Sequence, residues 1–412
     1  MPDHIDIRVP RQRSLGTARP IVQATPTPSA RSLYVHVPFC AHKCHYCDFY
    51  SIVDRQDRQD AFADRLQREL AALAPCAGPL DTIFVGGGTP TLLRPDLWVH
   101  LLTTLADRFD LSPITSGAGE FTIEANPETV TPELMDTLAA GGVNRVSIGA
   151  QSYNAQHLKT LERWHDPANV ARAVGLARSA GIARQSVDLI FAIPGQSIDE
   201  WARDLDTALA LGTEHVSCYA LTYEPGTAMT ARMARGEFAP ADPDHEADLY
   251  EHTVRALRAA GLERYEVSNF ARPGAACAHN IAYWRQHDWL AAGPSASGHL
   301  SGHRWKNVPR LDEYLAGDDA GFAPIVEHEP PNAERNLAEW IMTGVRLAEG
   351  LDQSTLIERA GRVERGAPER LAQQITEHRE TGWIDPERLA LTDAGFLFAD
   401  RIAADLMGCL RP

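Results

Sequence analysis

Six short apolar runs, each followed by a segment with helical spacing, restrict most strongly what this chain can fold into. The runs begin at Leu33, Thr82, Phe121, Arg145, Ser186 and His215. Asp60 to Leu73 is an example of the helical pattern that follows them. Strands buried on both faces and joined by helices form a parallel sheet. Six such units predict an α/β fold with a partial (β/α)6 barrel, whose chemistry lies at the carboxyl ends of its strands.

Cys40, Cys44 and Cys47 lie directly after the first strand, and this spacing is the strongest chemical signal in the chain. Three thiolates hold three corners of a [4Fe–4S] cluster, whereas an ordinary electron-transfer cluster takes four cysteine ligands. The fourth iron is then open, and S-adenosylmethionine chelates such an iron through its amino and carboxylate groups. The spacing resembles the signature of radical S-adenosylmethionine enzymes.

The cysteine loop has two other interpretations, a structural zinc site and disulfide pairing. A structural zinc site would use the same thiolates with His42 or His45, but zinc loops usually come as two separated pairs. Disulfides are disfavoured because seven cysteines are thinly spread over 412 residues and no apolar secretory segment precedes them. We therefore predict a reducing, cytoplasmic location. The remaining cysteines are predicted to be buried small hydrophobes: Cys76, Cys218, Cys277 and Cys409.

The charge of the chain limits its partners. The formal net charge is −16, from 55 acidic and 39 basic residues, which argues against nucleic acid and against an anionic membrane surface. No apolar run is long enough to span a bilayer.

The first thirty residues differ in composition from the rest. Residues 1–30 hold prolines, scattered arginines and a polar string without hydrophobic periodicity, which predicts a disordered tail. A transit peptide is the alternative, although Asp3, Asp6 and the prolines oppose an amphipathic helix.

Polar residues and glycines stand at the ends of the other predicted strands. The run Gly86 to Thr91 lets backbone groups approach a ligand, although a tight turn with positive φ explains the same glycines. Glu124, Gln151 and Asp188 occupy successive strands, where a polar side chain is costly unless it has a partner. Each alone is as well explained by a structural hydrogen bond, but the three together favour a cofactor site at the barrel mouth.

Five motifs together resemble the oxygen-independent coproporphyrinogen dehydrogenase family, and the resemblance covers most of residues 32–412. The motifs are Tyr34 to Phe49, Gly86 to Thr91, Ile148 to Ser152, Asp188 to Gln196 and Leu221 to Thr227. The resemblance implies that Cys40, Cys44 and Cys47 bind the cluster. It further implies S-adenosylmethionine contacts from Tyr34, Tyr46, Gly87, Gly88, Thr89, Glu124, Gln151, Arg163, Asp188 and Ala220.

Two features place the resemblance with one subgroup of that family. The dehydrogenases carry a fourth cysteine close to the third, whereas Asp48 and Phe49 follow Cys47 here, as in the HemW-type heme chaperones. Downstream, the run His279-Asn280-x-x-Tyr283-Trp284 resembles an element linked to heme binding in that subgroup.

The second motif has a chemical interpretation of its own. A neutral histidine nitrogen is a common axial ligand of heme iron, and Tyr283 and Trp284 would supply an aromatic wall. In a helix, Tyr283 shares a face with His279. The alternative is a core histidine hydrogen-bonded beneath Trp284, and Cys277 is a weaker candidate ligand.

Two positions depart from the family pattern. Ala192 stands where a glycine is usual, and we interpret it as a packing variant. The segment from Gly293 to Gly298 lacks a usual histidine and glycine, and no role is assigned to it.

These observations predict four segments. They are a disordered tail over 1–30, a radical S-adenosylmethionine barrel over 31–270, a connecting segment with the histidine motif over 271–325, and a mostly helical, winged-helix-like domain over 326–412. Helical spacing is clearest at Ala333 to Leu347 and Leu371 to His378.

The resemblance implies a heme chaperone that carries a [4Fe–4S] cluster and S-adenosylmethionine and delivers heme to a client protein. Its other partner is an electron donor for the cluster. The client is expected to be a heme-requiring protein, a membrane-associated client is compatible with the absence of a membrane span, and a homodimer is compatible with the sequence. The alternative is a radical enzyme that oxidatively decarboxylates coproporphyrinogen III. No catalytic residue is assigned.

Overall fold

A single mixed sheet of twelve strands organises the molecule, which is described by a computed structural model over residues 14–24 and 29–411. The strands are β1 (Ala30–Val37), β2 (Ala77–Gly87), β3 (Glu120–Ala125), β4 (Arg145–Gln151), β5 (Arg184–Phe191), β6 (His215–Ala220), β7 (Glu263–Glu266), β8 (Asn269–Ala271), β9 (Trp289–Ala292), β10 (Ser297–Leu300), β11 (His303–Asn307) and β12 (Ile325–Glu329).

The first six strands lie side by side in chain order and are all parallel. The six apolar runs found in the sequence are therefore confirmed as β1 to β6. The sheet continues beyond β6 through β8 and β7, and beyond β1 through β9, β10, β11 and β12. The predicted partial barrel is confirmed, and its six carboxyl ends meet at one edge.

The described residues form seventeen α-helices. They are α1 (Arg19–Ala24), α2 (Gln59–Leu73), α3 (Pro95–Arg108), α4 (Ser112–Thr115), α5 (Pro132–Ala140), α6 (Ala155–Thr160), α7 (Ala168–Ser179), α8 (Ile198–Ala210), α9 (Ala228–Ala234), α10 (Pro243–Ala259), α11 (Ala278–Trp284), α12 (Leu311–Ala316), α13 (Ala333–Gly344), α14 (Gln353–Val363), α15 (Ala367–Glu380), α16 (Asp393–Phe396) and α17 (Ala399–Gly408). Among residues 14–24 and 29–411, none of the helices has the length and apolar character needed to cross a membrane.

Helix α8 illustrates how the sequence sets these elements. Ser197 accepts a hydrogen bond from the backbone of Glu200, whose carboxylate accepts one from the Ser197 backbone, so the first turn is capped in both directions. Trp201, Leu205 and Ala208 recur at helical spacing and are fully buried. The apolar face of the helix therefore packs on the sheet while its polar face remains outside.

The prediction of a disordered tail over residues 1–30 is wrong for the part that is described. Ala18, Ile21 and Val22 are buried in the barrel core, and α1 begins at Arg19. Thr17 and Arg19 both donate hydrogen bonds to Asp319 at 2.9 Å. Three apolar side chains are too few to produce a periodic pattern, yet all three belong to the hydrophobic core. Residues 1–13 and 25–28 lie outside the described part.

The segment 271–325, predicted as a connector, is part of the barrel body. Strand β9 pairs in parallel with β1, with Tyr34 opposite Ala291. The same hydrophobic core extends from Ala18 to Val326. The histidine motif is thereby fixed against the start of the barrel strands.

A second hydrophobic core extends from Leu337 to Leu410 and is formed by the helices after α12. Helix α13 ends at Gly344, three residues before the predicted end, and α15 includes the predicted helix at 371–378. Short bridges join Leu351 to Leu389 and Ile384 to Leu391, as the small strand pair of a winged-helix-like fold requires. The boundaries of the four predicted segments otherwise stay a prediction.

Candidate cluster and cofactor site

The loop that carries Cys40, Cys44 and Cys47 follows β1 at the carboxyl edge of the sheet. All three thiols are free and partly exposed. Partial burial raises the pKa of Cys40 and raises the pKa of Cys47 to about 11. Because metal binding needs thiolates, loading this loop with iron releases protons.

The donor set fits a cluster with one open iron. Three cysteine thiols on one loop match three corners of a cubane. No three histidine, cysteine, aspartate or glutamate side chains within the described chain converge around a single point, as the ligands of one zinc ion do. This finding includes the three cysteine thiols themselves, so the preference for a cluster over zinc rests on their spacing in the sequence.

Arg163 places a positive charge beside the cysteine loop. Its Nη1 lies 3.7 Å from the Sγ of Cys44, and its Nη2 donates to the carbonyl of Gly149 at 2.9 Å. The Arg163 side chain is partly buried, and the neighbouring Tyr46 and Cys44 outweigh the effect of burial and raise its pKa. A permanent cation at this position would offset the negative charge of a thiolate at Cys44.

The glycine turn after β2 brings backbone to the centre of the site. Gly87 has a φ of +111°, and a side chain on it would collide with the ring of His36. A side chain on Gly88 would lie 2.6 Å from the carbonyl of Phe39, which precedes Cys40. Only glycine allows this close approach. Thr89 then lies within 3.6 Å of the Cys40 sulfur.

Glu124 stands at the end of β3 opposite this turn. Its Oε2 accepts a hydrogen bond from the Gly87 backbone at 3.1 Å. Burial, and then the charge of Asp188, raise the pKa of Glu124 to about 7. The carboxyl group is thus poised to gain or lose a proton near neutral pH.

Asp188 on β5 lies at the centre of a ring of serine hydroxyls. Ser147 donates to it at 3.0 Å, Ser217 at 2.7 Å and Ser186 at 3.4 Å. Burial raises the pKa of Asp188, and the three hydroxyls act in the opposite direction. The serines come from β4, β5 and β6, so the ring spans half of the barrel.

The other predicted S-adenosylmethionine contacts lie around the same edge. Gln151 ends β4 with a φ of +63°. A side chain on Gly149 would collide with the Gln151 amide and the Arg163 guanidinium. Tyr34 is partly buried on β1, and its hydroxyl lies 3.0 Å from His36 Nδ1. Tyr46 lies within the cysteine loop, and Ala220 ends β6. The fold therefore brings the ten predicted residues to one side of the barrel.

Beneath this edge the barrel encloses a chamber of about 150 Å³. Glu124, Asp188 and Tyr34 line its walls, together with His279 and Tyr283 from α11. The chamber is smaller than the roughly 300–1,000 Å³ of pockets that hold drug-sized ligands. A heme macrocycle does not fit inside it in this conformation.

His279 has the hydrogen bonds expected of an axial ligand. Its Nδ1 lies 2.8 Å from Thr82 Oγ1, and that hydroxyl donates its own proton to Ser32. The imidazole proton is therefore on Nδ1, and Nε2 carries the lone pair. Nε2 is buried without a hydrogen-bond partner among the described residues, and burial lowers the pKa of His279 to about 4.

The alternative of a core histidine is met in part, because His279 is buried and hydrogen-bonded to Thr82, but its ring does not lie beneath Trp284. His279 stacks against Phe84 at 5.3 Å between ring centroids, and the edge of Tyr283 lies at 4.6 Å. The predicted shared helix face of His279 and Tyr283 is confirmed. Trp289 continues the row at 4.5 Å from Tyr283. Trp284 lies outside this row.

Glu120 holds the first turn of α11 against the barrel. Its carboxylate accepts hydrogen bonds from the backbone of Ala278 at 3.1 Å and of His279 at 3.2 Å. The thiol of Cys277 donates to it at 3.2 Å, and burial raises the pKa of that thiol to about 12. Cys277 is therefore a buried thiol rather than a ready metal ligand.

The sequence did not reveal several polar residues inside the barrel. His215 and Tyr265 line the chamber, as do Ser147 and Ser217, and Ser186 Oγ lies 2.7 Å from His215 Nδ1. Their only sequence signal is alternation within otherwise apolar strands, in which Ser147, Ser186 and Ser217 pass for ordinary strand residues.

Comparisons with known proteins agree with the family that the sequence motifs resemble. The Radical SAM superfamily profile matches residues 34–208. Heme chaperone HemW of Mycobacterium tuberculosis is 39% identical over 383 residues, covering 91% of this chain and 94% of that protein. Heme chaperone HemW of Lactococcus lactis is 34% identical, covering 90% and 96%. The coproporphyrinogen III oxidase HemN of Escherichia coli superposes with a TM-score of 0.80 over 94% of this chain and 92% of that chain, at 23% identity, a likeness of fold.

Proposed function

Because the chain belongs to the HemW family within the Radical SAM superfamily, we propose that it is a heme chaperone that binds heme and delivers it to a client protein. Two features of its own sequence support this role over porphyrin synthesis. Asp48 and Phe49 follow the third cysteine, and the helix α11 carries His279 and the aromatic residues after it.

In this proposal Cys40, Cys44 and Cys47 hold a [4Fe–4S] cluster, and the barrel mouth holds S-adenosylmethionine. A cluster there supplies an open iron and a source of single electrons. Glu124 and Asp188 offer buried carboxylates to the cationic cofactor, Gly87 and Gly88 give it access to the backbone, and Arg163 balances charge at Cys44.

The heme assignment rests on the tautomer and the neutral charge of His279. Thr82 fixes the imidazole in the tautomer that leaves Nε2 free to bind a metal, as outer hydrogen bonds do in many metal sites. The ring is neutral because burial lowers its pKa to about 4. A neutral imidazole with one anchored nitrogen and one without a partner is suited to heme iron.

Heme binding at His279 requires α11 to move. The ring is 1% exposed, and the chamber of about 150 Å³ beside it is too small for the macrocycle. The contacts that must open are those of Glu120 with the first turn of α11. Heme binding is therefore expected to make α11 more accessible to protease.

The remaining partners follow from the surface around the cluster. Phe49 and Trp164 are 62% and 60% exposed close to the cysteine loop, where an electron donor would approach. We place the protein in the cytoplasm, because seven free cysteines suit a reducing compartment. A homodimer and a membrane-associated client remain compatible with this proposal.

The test is a heme titration of purified protein with a rebuilt cluster. We expect a heme absorbance band in the wild type that weakens strongly in His279→Ala. His100→Ala removes an exposed histidine on α3 and should leave the band unchanged. A band of equal strength in both variants would exclude His279 as the ligand.

Delivery is tested with the heme-loaded protein and the apo form of a heme protein. Heme should pass to the acceptor, with recovery of its activity, faster than release into buffer allows. Equal rates of transfer and of simple release would mean that the protein stores heme without handing it over.

A dehydrogenase role is tested separately. Anaerobic incubation with coproporphyrinogen III, S-adenosylmethionine and a reductant should give no protoporphyrinogen beside a working control enzyme. Formation of that product would replace the chaperone proposal with the enzymatic one.

A further inference from the structure

A continuous chain of hydrogen bonds crosses the barrel from Asp188 to α11. Ser186 Oγ donates to Asp188 at 3.4 Å and lies 2.7 Å from His215 Nδ1. His215 Nε2 lies 2.9 Å from the hydroxyl of Tyr265, and Asn280 Nδ2 donates to that hydroxyl at 3.2 Å. The chain thus joins β5, β6, β7 and α11.

The hydrogen bonds of this chain have one direction. The amide nitrogen of Asn280 only donates, so the Tyr265 oxygen accepts and its own proton goes to His215 Nε2. The proton of the neutral His215 ring is then on Nδ1, from which it is donated to Ser186. The Ser186 hydroxyl in turn donates a hydrogen bond to Asp188.

The opposite tautomer of His215 leaves the network unsatisfied. With the proton on Nε2, the Tyr265 hydroxyl would receive two donors and have no acceptor for its own proton within the chain. The orientation of the Asn280 amide is supported by Glu266, whose Oε1 lies 3.5 Å from the same nitrogen. Buried polar groups are satisfied in native proteins, so the directed arrangement is the favoured one.

The two ends of the chain lie at the two parts of the candidate site. Asp188 is one of the carboxylates at the barrel mouth, and Asn280 is next to His279 on α11. Tyr265 is on β7, and its carbonyl accepts a hydrogen bond from Ala348 of the helical domain at 2.9 Å. Strand β7 therefore touches the barrel interior, α11 and the second core.

We propose that His215 and Tyr265 are positioning residues that couple the S-adenosylmethionine site to the heme-binding helix. A cation bound at the barrel mouth keeps Asp188 ionised. The hydrogen bonds from Asn280 through Tyr265, His215 and Ser186 then remain directed toward Asp188. These bonds hold Asn280 and α11 in the closed position. Because heme needs α11 to move, S-adenosylmethionine weakens heme binding, and heme weakens S-adenosylmethionine binding by the same factor. This inference rests on the proposed function, since it takes both as ligands.

The experiment measures the dissociation constant of each ligand in the absence and presence of the other, on protein with a rebuilt cluster. In the wild type we expect S-adenosylmethionine to raise the heme dissociation constant by roughly fivefold or more. In Tyr265→Phe the ring remains but the hydroxyl is lost. The ratio of the heme dissociation constants with and without S-adenosylmethionine should then fall to about one, while each ligand still binds alone. Tyr153→Phe is the matched control, because its buried hydroxyl has no partner in the described chain.

A second measurement does not depend on heme. Nitrogen-15 NMR of histidine-labelled protein, with His215→Gln to assign the signal, should show His215 protonated at Nδ1. This keeps the inference open to test where Tyr265→Phe does not fold.

The outcomes separate the inference from the function beneath it. A wild type that binds both ligands without mutual effect overturns the coupling and leaves the chaperone proposal standing. Coupling that persists in Tyr265→Phe, or a proton on Nε2, also overturns the coupling. A wild type that binds no heme overturns the proposed function and the inference with it.

Discussion

The hydroxyl of Thr82 lies 2.8 Å from Nδ1 of His279 in the buried interior of the barrel. The same hydroxyl donates to Ser32 at 2.9 Å, so toward the imidazole it can only accept. One threonine thereby decides which nitrogen of His279 has a lone pair to offer. Side chains of this kind tune metal ligands although they touch no metal themselves.

Thr82→Val tests this relationship. The valine keeps the shape of the side chain but removes the acceptor, so the His279 ring loses its fixed tautomer and orientation. We expect heme affinity to fall roughly 10–100-fold, the usual effect of losing such a partner. The measurement is a heme titration followed by absorbance. Thr82→Ser keeps the hydroxyl and should bind heme as the wild type does, and equal affinity in both variants would contradict the role of Thr82.

The binding of S-adenosylmethionine should depend on pH through Glu124. Burial and the charge of Asp188 raise the pKa of Glu124 to about 7, so the carboxylate is mostly protonated at pH 6 and mostly ionised at pH 8. The sulfonium cation favours the ionised form. Affinity should therefore rise about tenfold from pH 6 to pH 8.

Equilibrium dialysis of Glu124→Gln provides the comparison. This variant should bind weakly at both pH values, with the Glu124 contribution to the pH dependence lost. Glu133→Gln changes an exposed carboxylate on α5 and should titrate like the wild type. The same pH dependence in Glu124→Gln as in the wild type would assign it to another group.

The sequence predicted the barrel well because its strands carry their own signal. Leu33, Val146 and Val187 belong to apolar runs buried on both faces, and such runs fit few folds other than a parallel sheet. The cysteine spacing and the residues at the strand ends were equally local. The fold then brought these residues to one edge, as the parallel arrangement requires.

The residues that the sequence did not reveal depend on contacts between distant elements. Tyr265 lies on a short antiparallel strand, and its partner His215 is fifty positions earlier in the chain. Nothing near either residue indicates the other. Ala18 and Ile21 likewise pack against core residues distant in sequence, and the small size of the chamber beside His279 depends on where α11 docks.

Arg163 should raise the reduction potential of the cluster. Its Nη1 lies 3.7 Å from the Cys44 sulfur, and reduction adds negative charge that a nearby cation and donor stabilise. Arg163→Gln is therefore expected to shift the potential to more negative values, and Arg163→Lys by less. The measurement is an anaerobic redox titration of the rebuilt cluster without S-adenosylmethionine. Arg203→Gln on the exposed side of α8 is the control, and an unchanged or more positive potential in Arg163→Gln would refute this role.

Ala192 is more than a packing variant, because its φ of 59° lies in the left-handed region. That conformation costs a residue with a side chain roughly 1–2 kcal/mol, and glycine avoids the cost. Ala173 on α7 is equally buried but helical, which makes it a matched reference for the loss of one buried methyl group. We expect Ala192→Gly to lower the free energy of unfolding by roughly 2–3 kcal/mol less than Ala173→Gly does, because glycine relieves the left-handed strain at residue 192 and adds the usual helix penalty at residue 173.

Urea unfolding of the two glycine variants measures this difference directly, because the methyl group lost is the same in both. Ala192→Val sharpens the comparison, since a β-branched side chain tolerates positive φ poorly and should destabilise the protein strongly. If Ala192→Gly is less destabilising than Ala173→Gly by no more than the helix penalty of about 0.5–1 kcal/mol, the backbone at residue 192 carries no strain. In that case Ala192 affects the free energy of unfolding only through the packing of its methyl group.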